Sequence, residues 1–136
     1  MKIVSKFIDY LDEDTAVVIG STVPGDIIVD GGIHFMEVFN GTTPIVDVGF
    51  ASDNAGGAAD PNALGTAMLP TAIGNVPFDA INAVTNIRCT VADQVTATYS
   101  NSGGTATTGK AIVYCPCYGF ILVDYCVMWL YCKHWG

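Results

Sequence analysis

The stretch from Ile33 to Phe50 has the clearest pattern of apolar and polar positions in the chain. Its second half places apolar side chains at every other position, at Val46, Val48 and Phe50, and this period of two predicts a strand with one buried face. Between the two halves, Asn40-Gly41 suits the positive φ angles of a tight turn and Pro44 closes the loop. We therefore predict a β-hairpin.

The first arm of this predicted hairpin, residues 33–39, is less regular. Ile33, Phe35 and Phe39 share one parity, whereas Met36 and Val38 share the other. Such a mixture indicates either a bulge that shifts the register or a sheet that is covered on both faces. In the second case a neighbouring subunit would contact Met36 and Val38, which makes them candidate interface residues.

A second hairpin is predicted from residue 94 to residue 115. Its first strand, Gln94 to Ser100, alternates apolar and polar side chains, and Asn101 to Gly104 is typical of a turn. Thr105 to Cys115 is then expected to return antiparallel to the first strand. A shorter strand, Asn86 to Val91, precedes this hairpin.

The remaining elements are shorter. We predict a strand at Thr15 to Ile19, a turn at Val23 to Asp26 with Pro24 in its second position, and extended structure at Ile27 to Val29. Asp60 to Gly65 predicts one helical turn, because Asp60 is a good N-cap and Pro61 suits the first helical position.

The segment from Met68 to Val76 is predicted to be irregular, because Pro70 and Gly74 interrupt it. A loop of this length in a compact domain is usually there to contact another molecule, so Met68 is a candidate interface residue.

The first 14 residues carry apolar side chains with the spacing of one helical face, from Ile3 to Leu11. The spacing fits a short amphipathic helix on its own domain or an arm that packs on a neighbour. In the second case Phe7 and Leu11 are candidate interface residues.

The last 19 residues, Tyr118 to Gly136, are continuously apolar up to Cys132 and have a strand-like composition. An unpaired strand of this kind would aggregate, so we expect either a central strand or an element buried against another subunit. In the second case Trp129, Tyr131 and Trp135 are candidate interface residues.

Together these elements predict an all-β protein, a single antiparallel β-sandwich or jelly-roll-like domain. At 136 residues, with 51% hydrophobic and 13% charged residues and 15 glycines, the chain has room for one core and does not resemble a disordered tail. We expect one domain, 1–136, comprising an N-terminal arm or helix (1–14), the sandwich (15–117) and an apolar C-terminal extension (118–136).

Charge and hydropathy narrow the function classes. The net charge is −8, and the five basic residues are too scattered to follow a phosphate backbone, so nucleic acid is not an expected partner. A signal peptide is not expected, because the N-terminus becomes acidic at Asp9. The most apolar run, Phe120 to Tyr131, contains Asp124 and is shorter than the roughly 20 residues of a membrane-spanning helix.

The residues that usually carry chemistry lack a recognisable motif. The five cysteines are not spaced as zinc ligands, so we expect buried thiols in a reducing compartment, with a metal site or an interchain disulfide as the alternatives. Neither His34 nor His134 lies in a catalytic motif, and the glycines do not form a phosphate-binding loop. We therefore predict no enzyme activity, no cofactor and no metal.

The order of these motifs resembles a group of small virion proteins of tailed bacteriophages that decorate the capsid. In that group a Pro-Gly turn leads into a strand, a second strand ends in Phe-Asn-Gly, and a third ends in Val-Gly. A Gly/Ala/Asp loop and a late TATY hairpin follow. The corresponding positions, which fall within residues 21–115, are Pro24-Gly25, Phe39-Asn40-Gly41, Val48-Gly49, Asp53 to Leu64, Thr96 to Tyr99 and Gly109-Lys110.

This resemblance implies a cement protein that binds the outside of the capsid, bridges major capsid subunits and commonly forms a homotrimer. It implies synthesis in the host cytoplasm and a final location on the exterior of the virion. Two alternatives remain open at this point, namely a head-fibre, tail-fibre or other tail structural protein, and a β-sandwich module that binds glycans.

Overall fold

The computed structural model describes residues 1–52, 57–79 and 87–119. These residues form ten strands and one short 3₁₀ turn at Tyr10–Asp12, and they contain no α-helix. In chain order the strands are β1 (Lys2–Asp9), β2 (Ala16–Thr22), β3 (Ile27–Ile28), β4 (Gly32–Glu37), β5 (Ile45–Phe50), β6 (Asp60–Met68), β7 (Gly74–Pro77), β8 (Ile87–Arg88), β9 (Asp93–Ser100) and β10 (Lys110–Tyr118).

The strands form two antiparallel sheets that pack face to face around one apolar core. Sheet A has the order β7-β4-β10-β3-β8, and β1 pairs with β10. Sheet B has the order β2-β9-β5-β6. The prediction of an all-β sandwich is therefore confirmed.

The core follows from the period-two pattern of the central strands. In β5, Val46, Val48 and Phe50 are buried, as their alternation predicts, and in β9 Val95 and Ala97 are buried opposite them. Fully burying one aliphatic or aromatic side chain of this size contributes about 1.5–3 kcal/mol relative to leaving it exposed.

Both predicted hairpins are wrong in their pairing. β4 lies in sheet A and β5 in sheet B, and likewise β9 lies in sheet B and β10 in sheet A. The segments that were expected to be tight turns cross from one sheet to the other, forming β-arches whose two strands face each other across the core. Neither Asn40 nor Gly41 has a positive φ, so the expected tight turn is absent.

Four such arches stack side by side at one end of the sandwich. The connections 10–15, 101–109, 38–44 and 69–73 lie in that order, because β1, β10, β4 and β7 are successive neighbours in sheet A and β2, β9, β5 and β6 in sheet B. Backbone hydrogen bonds link each arch to the next: Tyr10 N to Gly109 O, Thr42 N to Gly103 O, and Phe39 N to Pro70 O.

Asn40 makes the densest contacts between the two central arches. Its Oδ1 accepts hydrogen bonds from the backbone N–H groups of Thr107 (2.8 Å) and Thr108 (3.1 Å), and its Nδ2 donates to Thr107 Oγ1 (2.9 Å). In return, the Thr108 hydroxyl donates to Val38 O. Backbone groups that would lack a partner in a crossing segment are thus satisfied by one side chain.

Phe39 fills the space beneath these arches. Its ring lies 4.6 Å from that of Tyr99 and contacts Phe35 edge to face at 6.2 Å. Gly109 passes directly over the Phe39 ring with φ of 143°, and a Cβ at that position would overlap the ring. Glycine is therefore required there both for its dihedral angle and for the close approach.

The irregular arm of the first predicted hairpin contains a bulge. The pairing of β10 with β4 shifts between Lys110, opposite Glu37, and Ala111, opposite Phe35, so that Met36 is the extra residue. Ile33 and Phe35 therefore face the core, and Met36 is exposed. The sequence pattern of residues 33–39 indicated either a bulge or a sheet covered on both faces, and the structure shows the bulge.

The predicted N-terminal arm or helix is instead a strand of the sandwich. β1 pairs with β10 over its whole length, from Lys2 opposite Cys117 to Asp9 opposite Lys110. A salt bridge of 2.7 Å between Lys2 Nζ and the buried Asp26 carboxylate holds its beginning. A capping box between Asp9 and Asp12 holds its end. The apolar spacing resembled a helical face, but tertiary pairing decided the conformation.

The predicted helical turn at Asp60–Gly65 is also wrong, because these residues lie in β6. β6 is the last strand of sheet B, and an edge strand tolerates Pro61 since no neighbour needs its missing N–H. The strand pairs irregularly with β5, and Ala67 adopts a φ of 48°.

Other local predictions are confirmed. Val23–Asp26 forms the expected turn, in which Asp26 N donates to Val23 O and Gly25 has a φ of 95°. The predicted strands near Ala16 and Ile27 correspond to β2 and β3, whereas only Ile87 and Arg88 of the predicted strand at 86–91 are described as strand. Trp129, Tyr131 and Trp135 of the C-terminal extension lie outside the described residues.

Replacing Asn40 by alanine is expected to lower the free energy of unfolding by about 1–2 kcal/mol, because the N–H groups of Thr107 and Thr108 then depend on water. Urea denaturation of the purified chain measures this change. Asn62→Ala is the matched control, since Asn62 is exposed on the edge strand β6, and its effect should stay within about 0.5 kcal/mol. Equal effects of the two substitutions would contradict the role assigned to Asn40.

Candidate docking surface

β10 lies near the middle of sheet A and is apolar on both of its faces. Ala111, Val113, Cys115 and Cys117 point into the core and are buried. The alternate residues, from Ile112 to Tyr118, point away from sheet B and lie on the outer side of sheet A. A central strand with apolar side chains on both faces indicates that both faces are suited to being covered.

The pairing of β1 and β4 with β10 extends this outer side into an apolar surface. Phe7 lies opposite Ile112, which in turn lies opposite His34, and Ile3 lies opposite Pro116. Among these side chains Ile3 is 59% and Phe7 52% exposed. We call this surface the outer face of sheet A; its principal residues are Ile3, Phe7, Met36, Ile112, Tyr114, Pro116 and Tyr118.

The outer side of sheet B is different, because its central strand is polar there. The side chains of β9 that alternate with its core residues are Gln94, Thr96, Thr98 and Ser100. On the neighbouring strand β5, the corresponding polar residue is Asp47, whose carboxylate accepts a hydrogen bond from Ala67 N. The two outer surfaces of the sandwich are therefore chemically distinct.

Charge follows the same division. The basic residues in the described part of the chain are Lys2, Lys6, Arg88 and Lys110, and all four lie in strands of sheet A. No strand of sheet B contains Lys or Arg within these residues. In a chain of net charge −8, sheet A thus contains both the apolar surface and the four basic residues of the described ranges.

Two contacts organise the outer face of sheet A. The Lys110 ammonium lies 5.1 Å from the centroid of the Phe7 ring, a cation–π distance. The Tyr114 hydroxyl donates a 2.6 Å hydrogen bond to Asn75 Oδ1 across β4. These contacts hold two aromatic side chains on the surface.

The structure places the predicted interface residues in three different environments. Phe7 and Met36 lie on sheet A and are exposed, and Leu11 in the 3₁₀ turn is 75% exposed, while Val38 is half-buried. Met68 is wrongly assigned to an interface, because it is buried in the core and packs over Gly65. Trp129, Tyr131 and Trp135 are not among the residues that the structure describes.

The sequence-based prediction missed Ile3, Ile112, Tyr114, Pro116 and Tyr118. A signal for the last four was present in β10, where the run KAIVYCPCY is apolar at both parities. Ile3 lies on this surface because β1 pairs with β10 and places it opposite Pro116.

The described cysteines are buried free thiols on the inner side of sheet A. Cys115 and Cys117 alternate on β10 with their Sγ atoms 4.0 Å apart, and Cys89 is also buried. The hydrogen bond with Cys117, together with burial, raises the pKa of the Cys115 thiol, and burial raises the pKa of Cys89. Protonated, enclosed thiols such as Cys89 and Cys115 are poor nucleophiles.

The buried Tyr99 phenol has no hydrogen-bond partner among the described residues. Burial and the nearby carboxylates of Glu13 and Asp14 raise the pKa of Tyr99. Across residues 1–52, 57–79 and 87–119, no three His, Cys, Asp or Glu side chains are grouped to hold a metal ion. In the same ranges no helix is long and apolar enough to cross a membrane.

Comparison with known proteins gives no match: no protein-family model, curated protein or solved structure matches this chain.

Met68→Ala is expected to lower the free energy of unfolding by about 2–4 kcal/mol, because it leaves a cavity in the core. Met36→Ala removes the same side chain from an exposed bulge, and its effect should stay within about 0.5 kcal/mol. Thermal and urea denaturation of both variants measure the difference. If Met36→Ala destabilised the fold as much as Met68→Ala, the assignment of Met36 to the surface would be wrong.

Proposed function

We propose that this protein is a structural virion protein that binds the exterior of a phage capsid and stabilises the shell by bridging major capsid subunits. The motif order described in the sequence analysis supports this proposal. The proposed partner is the major capsid protein, and the protein is proposed to act as a homo-oligomer, with a trimer favoured. No enzymatic step is part of the proposal.

The outer face of sheet A is the observation that carries this proposal. A monomeric soluble domain rarely exposes a contiguous apolar patch unless something binds there. Here Ile3 and Phe7 on β1, Met36 on β4 and Tyr118 on β10 are each between 45% and 59% exposed. A rigid sheet presents these side chains without a loop that must first be ordered, which reduces the entropic cost of binding.

The distribution of charge supports an exterior location. A protein of net charge −8 is repelled by packaged DNA and gains nothing from counterion release. Lys110 lies over the Phe7 ring on the apolar face, and no described strand of sheet B contains a basic residue, so the surface that would contact the shell differs in charge from the outer side of sheet B. Such a difference orients the molecule on a partner with acidic groups.

A cement protein must bind the assembled shell more tightly than it binds the separated capsid subunits. A ligand that binds the assembled state and not the separated subunits stabilises the assembly by mass action. If one bound molecule contacts two capsid subunits, the second contact forms at the high effective concentration set by the first.

Quantitative mass spectrometry of purified particles tests the proposal directly. A cement protein should be present in a copy number close to that of the major capsid protein, and it should remain with isolated heads. A few copies per particle that remain with isolated tails would reject the cement role and favour the fibre or tail alternative.

Met36→Glu is expected to weaken binding to purified capsid shells by about tenfold or more, because a carboxylate would have to be buried in an apolar contact. Val18→Glu is the matched control, since Val18 is 36% exposed on β2 of sheet B. Co-sedimentation of each variant with shells measures the binding. Equal losses for both variants, or no loss for Met36→Glu, would reject the outer face of sheet A as the docking surface.

A further inference from the structure

The free edge of β1 differs from the other exposed edges of the two sheets. β2 and β6 pair with register shifts, and β6 also contains Pro61. β7 has only four residues, and β8 only two. Short strands, prolines, charged side chains and irregular pairing are devices that keep an edge from accepting another strand, and of these β1 has only charged side chains, those of Lys2, Lys6 and Asp9. β1 pairs regularly over eight residues and contains neither proline nor glycine.

The direction of the backbone groups along β1 can be read from its end. Asp9 N donates to Asp12 Oδ2 instead of to β10, whereas the next amide, Tyr10 N, donates to Gly109 O on the side of β10. Because the amides of a strand alternate in direction, those of Ile3, Ser5 and Phe7 also point away from β10. No strand among the described residues pairs with this edge.

We infer that the free edge of β1 pairs antiparallel with β1 of a second copy of this chain, with Ser5 at the two-fold axis. In this register Ile3 lies opposite Phe7 of the second copy, and Ser5 lies opposite Ser5. The three residues whose backbone groups point outward therefore face one another, and each pair can exchange two backbone hydrogen bonds. A two-fold contact of this kind is self-complementary and closed.

The side chains of β1 select this register over its neighbours. A shift by one residue would place outer side chains opposite inner ones. Shifting by two residues in one direction would place Lys2 opposite Lys6, and in the other direction Lys6 opposite Lys6, and like charges directly opposite each other are destabilising. With Ser5 at the centre, Lys2 lies opposite Ile8 and Lys6 opposite Val4, so no lysine faces another.

The pairing would join two copies of sheet A into one continuous sheet. Ile3 and Phe7 are exposed in the single chain, and each would gain an apolar neighbour across the seam. The outer faces of the two sheets would then form one larger apolar surface. This inference does not depend on capsid binding, and the two-fold contact would add to any three-fold contact made elsewhere on the molecule.

The mass of the full 136-residue chain in solution, measured by sedimentation over a range of concentrations, tests the pairing. We expect a dimer, or a larger species built from dimers, that dissociates on dilution. Ser5→Pro removes an edge N–H that does not bond to β10, so the fold should persist. The dissociation constant of the dimer should rise by about tenfold or more, because one backbone hydrogen bond across the seam is lost from each chain. Ser5→Ala keeps that N–H and should leave the dissociation constant unchanged.

A second pair of substitutions tests the register independently of proline. Ile3→Glu and Phe7→Lys should each weaken the dimer, and the double variant should regain affinity, because the two positions lie opposite each other only when Ser5 is central. A wild-type chain that is monomeric at every concentration would overturn the inference. So would an oligomer that is insensitive to Ser5→Pro, or single-variant losses that the double variant fails to restore.

Discussion

The backbone hydrogen bonds between stacked arches are the constraint on which the rest of this fold depends. Every chain crossing from sheet A to sheet B leaves the hydrogen-bonding pattern of one sheet before it joins the other, and its polar backbone groups need partners there. Stacking four of these crossings at one end provides hydrogen-bond partners for those four together. Asn40 supplies the side-chain partners between the two central arches, and Gly109 lets Phe39 fill the space beneath them.

This arrangement also determines what the two sheets present to their surroundings. Because most strands that are consecutive in the chain lie in opposite sheets, each sheet is assembled largely from distant segments, and the composition of its outer side is set by which strands become neighbours. β1, β4 and β10 bring together Phe7, Met36 and Ile112, whereas β2, β9 and β5 bring together mainly small and polar side chains. One topology therefore gives sheet A an apolar outer side that carries Lys110, and gives sheet B a polar outer side whose strands, in the described ranges, contain no basic residue.

The sandwich accommodates a buried carboxylate, a proline in a central strand and several thiols, and each has a specific environment. Asp26 is buried, yet it is paired with Lys2 and also accepts a hydrogen bond from Val23 N, so its charge is compensated. Pro116 lies on β10 between the part that pairs with β4 and the part that pairs with β3. Neither strand pairs with Pro116 itself, so its missing N–H removes no hydrogen bond to them. The thiols beside it are enclosed, which favours packing over reactivity.

By itself, the sequence determined the fold class, the core positions of β5 and β9 and the turn at Val23 to Asp26, because period-two burial and turn chemistry are local properties. It also pointed to Phe7 and Met36 as surface residues. Only the tertiary structure decided that both predicted hairpins are arches, that residues 2–9 form a strand, and that Met68 belongs to the core. The alternation in a strand shows that one face is buried, but it does not show which sheet the strand joins. That choice depends on contacts between segments distant in sequence, and no local pattern records them.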